Sequence, residues 1–163
     1  MIDHIIFIFY IIFISISTIG YGYLFSLIFN KKLLSLNLGY QGLFGFFFLI
    51  IISSITTFFF KHHYFHNLVV HLIGIFTFIY FIKNFEKKDI RLSIILFILL
   101  FISIYVYKNH DDFPYYHLTY TLNLVENKFI IGSGNFGHGF RTFSSLFFFH
   151  SLVYLPLIKF YIF

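Results

Sequence analysis

The chain has 163 residues, of which 60% are apolar and only 10% charged, and its mean hydropathy is +0.90. Soluble domains carry about 25% charged residues, so this chain lacks the polar surface a water-facing globule needs, and lipid is the solvent its composition fits. The formal charge of +5 falls in the gaps between apolar runs, which points to membrane orientation and against nucleic-acid binding, and the absence of Cys removes disulfides, thiolate metal sites and thiol nucleophiles.

Spanning a hydrocarbon layer of ~30 Å takes about 17 to 25 apolar residues in a helix. Runs of roughly that length extend over Ile5 to Phe29, Leu43 to Phe60, Tyr64 to Ile82 and Leu92 to Tyr107, with a possible fifth over Phe143 to Phe163. None shows the polar alternation of a transmembrane barrel strand. The fold class expected is therefore all-α: a polytopic membrane helix bundle of four to five transmembrane helices, with one interfacial amphipathic helix in an outer loop, as a single membrane-embedded region over 1–163. The first run opens with Asp3, is too long for a signal peptide and has no small-residue cleavage site, so it is expected to remain as an anchor.

Within that first run lies Thr18-Ile19-Gly20-Tyr21-Gly22, the string from which potassium channels build a carbonyl-lined filter. A filter needs an outer helix and a pore helix before it, and the residues preceding Thr18 are too few for both. Close helix packing through glycine and serine is the favoured reading. His62, His63 and His66 follow the second run at helical spacing, but no carboxylate or cysteine accompanies them, so interfacial polar residues are expected in preference to a metal site. His71 and His150 fall inside runs, where a neutral, hydrogen-bonded imidazole is the least costly state.

Lysine and arginine orient the bundle. Lys31, Lys32, Lys83, Lys87, Lys88, Arg91 and Lys159 share one side, expected to be cytoplasmic, and the loop 108–142 lies on the other. In that loop Asp112 is placed to cap a helix, Pro114 suits its first turn, and Tyr115, Leu118, Leu122 and Val125 recur at helical spacing, predicting an amphipathic helix on the membrane surface. Farther on, Gly132-Ser133-Gly134-Asn135-Phe136-Gly137 fits G-x-G-x-x-G. No βαβ unit surrounds it, so a flexible outer loop is expected and not a dinucleotide site.

The acidic pair Asp111-Asp112 just after a span, the tyrosines behind it, the amphipathic segment ending Asn123-Leu124-Val125-Glu126-Asn127-Lys128 and the glycine-rich stretch together resemble the first catalytic outer loop of GT-C-type integral membrane glycosyltransferases. The whole chain is similar to the N-terminal part of large bacterial polytopic proteins of that kind. The resemblance implies transfer of a sugar from a polyprenyl-phosphate donor to a glycan or lipid acceptor, with the chain in the bacterial cytoplasmic membrane and the loop facing the periplasm or exterior. It implies catalytic roles for Asp111 and Asp112, as base or acceptor-orienting group and second acidic position. Arg141, Lys128, His117 and His138 are then the candidates for the donor phosphate, by charge and loop position. No cofactor or metal is assigned, although a divalent cation at Asp111 and Asp112 is compatible with their hard oxygen ligands. The apolar end Lys159-Phe160-Tyr161-Ile162-Phe163 suggests a piece of a larger protein, inactive alone. A noncatalytic membrane scaffold or transporter piece is the alternative, and a potassium-channel-like protein a more distant one.

Overall fold

The computed structural model describes residues 2–106, 113–135 and 144–156. All regular structure there is helical: α1 (Ile2–Phe29), α2 (Leu38–Thr56), α3 (Tyr64–Phe81), α4 (Lys87–Val106), α5 (Leu118–Glu126) and α6 (Ser145–Leu152), with no strand among the described residues. Three of these helices are long and apolar enough to cross a membrane, over Ile5–Phe29, Leu38–Thr56 and Tyr64–Phe81.

Capping chemistry sets where α2 begins. The Asn37 side chain accepts the Tyr40 N–H at 3.1 Å, so the helix starts at Leu38 and not at Leu43. It ends at Thr56, where the expected run continued to Phe60, because the N–H groups of Phe59 and Phe60 both turn back onto the Thr56 carbonyl. The chain then passes through 61–63 without regular structure and re-enters as α3.

Helix α1 is the axis against which α2 and α3 pack, and glycines fix the approach. A methyl group added at Gly22 would fall on the Gln41 carbonyl of α2, and one at Gly45 on the Thr18 carbonyl of α1. On the other side, Gly20 faces the Gly74 carbonyl of α3, and Gly74 in turn faces Ser17. Helix association in lipid depends on such backbone contact, since burying apolar area brings no gain there. Residues 18–22 are accordingly α-helical, with Gly20, Tyr21 and Gly22 buried in packing, as the small-residue reading anticipates, and do not form an extended carbonyl loop.

The bundle buries polar side chains among its apolar core clusters and turns many large apolar side chains outward. Ser17, Ser26, Gln41, Ser53, Asn67, His71 and Ser151 are wholly buried, whereas Phe9, Phe47, Phe76 and Tyr80 stand more than half exposed. Only 28%, 33% and 28% of the most apolar windows of α1, α2 and α3 are covered by the protein itself, which suits a lipid solvent. Helix α4 takes this furthest, with Leu92, Ile94, Ile95, Leu96, Ile98, Leu99 and Leu100 all exposed around its circumference.

Helix α6 is eight residues long, about 12 Å, and covers the only described helical part of the expected fifth run. Phe147 and Phe148 at its start join Tyr120 and Leu124 of α5 in one cluster, while Leu152 at its end packs among Tyr21, Leu49 and Val70. It thus descends from the α5 end of the bundle to the level of mid-α2 and stops there, turning at Val153–Pro156.

Candidate functional site

Of the residues singled out from sequence, Asp111, Asp112, His138 and Arg141 lie outside the described residues. His117 and Lys128 are placed, at opposite ends of α5. His117 sits edge-on to Phe147 with ring centroids 5.2 Å apart, and its carbonyl accepts the Thr121 hydroxyl at 2.8 Å. Lys128 is exposed just past the C-terminus of α5. A nine-residue helix separates them by about 14 Å, so the two do not converge on one phosphate through α5 alone.

A helix forms in the segment 115–125 expected to be amphipathic, but its buried face is rotated from the expected one. Tyr120, Thr121, Leu124 and Val125 are buried, while Tyr115 is 72% exposed and Leu122 only half-buried. Docking decides this phase: Tyr120 packs on Phe147 of α6 at 5.0 Å, and the Leu124 carbonyl accepts the His62 N–H at 2.9 Å. Phe113–His117 forms one wide turn ahead of α5 proper, so the segment directly after Asp112 is already coiled.

The densest polar constellation in the described chain lies where α2, α3, α5 and α6 meet. His62 is fully buried, with Nδ1 2.6 Å from the Ser151 hydroxyl and Nε2 3.0 Å from the Thr56 hydroxyl. Two proton arrangements satisfy it. In one, His62 Nδ1–H donates to Ser151, whose hydroxyl donates to the Phe148 carbonyl at 2.7 Å, and Thr56 donates to Nε2. In the other every proton moves along the row, Ser151 donating to Nδ1, Nε2–H to Thr56, and Thr56 to the Ser53 carbonyl at 3.2 Å. Both keep the ring neutral, and burial, with some repulsion from His66, pushes its pKa down to about 3.

Asn67 completes the junction. Its amide nitrogen lies 2.7 Å from the His62 carbonyl, 2.7 Å from the Ser151 carbonyl and 2.8 Å from the Tyr154 carbonyl, so two N–H groups serve three acceptors. One turn deeper, His71 Nε2 is 3.2 Å from the Leu152 carbonyl, which must accept; Nδ1 is then the acceptor for the Ser17 hydroxyl at 3.0 Å. A helix that ends in an apolar interior leaves its last carbonyls without partners. Asn67 and His71 of α3 are those partners for α6, and both ring nitrogens of His71 are hydrogen-bonded, as anticipated.

A serine hydroxyl 2.6 Å from an imidazole is the spacing of a nucleophile and its base. Here both are wholly buried, the second imidazole nitrogen meets a threonine and not a carboxylate, and Phe148 already takes up the serine. The pair therefore serves packing. The other histidines of the cluster do not chelate either: His66 lies parallel to His62 at 4.8 Å, with Nδ1 engaged by Asn67 Oδ1, and no group of three metal-ligating side chains occurs among the described residues. A cavity of about 500 Å³ between α1 and α3, lined by Phe9, Phe13, Ile16, Leu68, Leu155 and Pro156, carries no charged side chain and so offers nothing to a phosphate. Gly132, at φ 84°, opens the short turn Ser133–Asn135; α6 begins only at Ser145, so the glycine string opens no helix within the described residues.

No family model, no curated protein and no solved structure matches the chain.

Proposed function

We propose that this chain is the membrane-embedded, outer-loop-bearing part of a GT-C-type glycosyltransferase-like protein that moves a sugar from a polyprenyl-phosphate donor at the outer face of the bacterial cytoplasmic membrane. In this reading α1 to α4 are four spans, the twenty residues of α4 being apolar on all sides past its first turns, and α5 lies in the interface. The observation that carries it is the position of α5. This amphipathic element is docked by Tyr120 and Leu124 over the end of the bundle, directly behind the acidic pair in sequence. A carboxylate held there removes the proton from an acceptor hydroxyl as the anomeric carbon is attacked, and cations of the same loop stabilise the departing phosphate. Asp111 and Asp112 are the groups for the first task; Arg141, Lys128, His117 and His138 are those for the second. Replacing Asp111 and Asp112 by Asn in the full-length protein, with assembled glycan as readout, is expected to abolish transfer while membrane insertion persists.

A second reading, a noncatalytic membrane scaffold or transporter piece, has its own supporting observation. The side chains of Thr56, His62, Asn67 and Ser151 are engaged in joining helices, and the cavity is apolar. Unchanged glycans in the Asn variants would select it.

A further inference from the structure

The end of the bundle opposite α5 carries most of the chain's positive charge. Lys31 and Lys32 lie in the turn after α1, Lys83 follows α3, and Lys87, Lys88 and Arg91 open α4; all six are exposed. Although the two connections are far apart in sequence, one aromatic cluster joins them. Tyr23 stacks on Phe81 at 5.1 Å and on Phe85 at 5.5 Å, while Leu34 of the first connection and Leu38 at the start of α2 pack on the same group. Only Glu86 and Asp89 lie nearby, and among the described residues none of the six cations forms an ion pair. Six cations against two carboxylates leave a net positive face that attracts a polyanion or an anionic surface.

The residues beside them select between those partners. Ile28 and Phe29 at the end of α1, and Ile79, Tyr80 and Ile82 at the end of α3, are 59%, 65%, 55%, 78% and 48% exposed. A nucleic acid or a free phosphate has nothing to place against such a ring of apolar side chains. An amphiphile with an anionic head and hydrocarbon tails matches both layers, the head among the lysines and the tails along the helix ends. We propose that the face formed by the α1–α2 and α3–α4 connections binds anionic phospholipid headgroups, and retains them in preference to zwitterionic ones. This goes beyond the glycosyltransferase reading and does not rest on it.

The test uses the full chain purified in neutral detergent and offered equal amounts of phosphatidylglycerol and phosphatidylcholine with identical tails, the retained lipid being identified by native mass spectrometry. A several-fold excess of bound phosphatidylglycerol is expected. The variant K31Q/K32Q/K87Q/K88Q is expected to erase the preference, K61Q at the opposite end to leave it intact, and excess glycerol 3-phosphate to displace nothing. If the quadruple variant loses its helical circular dichroism, the single variants K31Q and K87Q serve instead, each lowering the retention ratio by up to about fivefold. Equal retention of the two lipids by the unaltered protein, an equal loss of preference in K61Q, or displacement by the soluble headgroup overturns the proposal.

Discussion

Asn67→Leu is the most direct challenge to the account of why α6 can end inside the bundle. Leucine matches asparagine closely in size, so the substitution leaves the packing volume nearly unchanged and removes only the amide. Three carbonyls then lose their donor: His62, Ser151 and Tyr154, at 2.7, 2.7 and 2.8 Å. An acceptor left buried without a partner costs about 1–3 kcal/mol, and two N–H groups can satisfy about two acceptors fully, so the expected loss is about 2–6 kcal/mol. The lower part of that range is the safer target, because in membranes the unfolded reference state also finds partners and measured side-chain hydrogen bonds between helices average about 0.6 kcal/mol. Reversible unfolding of the purified chain by added sodium dodecyl sulfate, followed by circular dichroism, gives the free energy directly. Hydrogen exchange at 153–155 should rise in the same variant, since the turn after α6 loses its tether. A change below about 0.5 kcal/mol, with exchange at 153–155 unaltered, refutes the idea that Asn67 holds the end of α6 in place.

Three further outcomes are expected in the same unfolding assay. Gly45→Ala should destabilise by about 1–3 kcal/mol through overpacking against the Thr18 carbonyl, whereas Gly42→Ala, whose added methyl meets only Ile19 at 3.8 Å, should be neutral or stabilising; equal effects would contradict the packing described for α1 and α2. Thr57→Val should cost nothing and is expected to raise stability, because the buried Thr57 hydroxyl has no hydrogen-bond partner among the described residues; a loss above about 1 kcal/mol would show that this hydroxyl is in use. For pH, the His62 imidazole stays neutral in the fold down to about 3 but takes up a proton below about 6.5 when unfolded. The unfolded chain then binds more protons, so stability falls as pH drops from 6.5 toward 3, by at most about 1.4 kcal/mol per unit from this group, and His62→Gln should flatten the slope by that amount.

The all-helical class and the first span could be read from the chain because they depend on local properties. An unbroken apolar run needs no knowledge of its neighbours, and Ile5–Phe29 lies within α1 and ends where that helix ends. The small residues at Gly20 and Gly22 were legible for the same reason, since a glycine inside a span has few uses besides close approach. Boundaries that depend on a cap or a turn shifted, as at Asn37 and Thr56. The junction around His62 was not legible at all. Asn67 is 84 residues from Ser151, and Ser53 is 95 from Phe148, so no window along the chain brings the partners together. The three histidines gave the only signal there, and their pattern reads as interfacial polar residues, whereas the structure buries His62 in a hydrogen-bonded junction. The phase of α5 was misjudged because Tyr115 and Leu118 satisfied the periodicity as well as Tyr120 and Leu124 did, and only the position of Phe147 distinguishes the two faces.

That junction also bears on any chemistry in the outer loop. The connection between α2 and α3 holds α5 through His62 N–H to the Leu124 carbonyl, the segment after α5 through Phe129 N–H to the Thr57 carbonyl at 2.8 Å, and α6 through His62 to Ser151. The two described elements that flank the glycine-rich stretch are therefore tied to one point. Positioning of a reacting group is a large part of catalysis, and it requires that kind of support from behind. It follows that His62, which touches neither His117 nor Lys128 among the described residues, should act on the loop by holding the described elements at its ends. A His62→Gln variant that folds but loses transfer, with donor binding retained, would be the signature of that positioning role, whereas loss of transfer in step with loss of folded protein would reduce His62 to a structural residue.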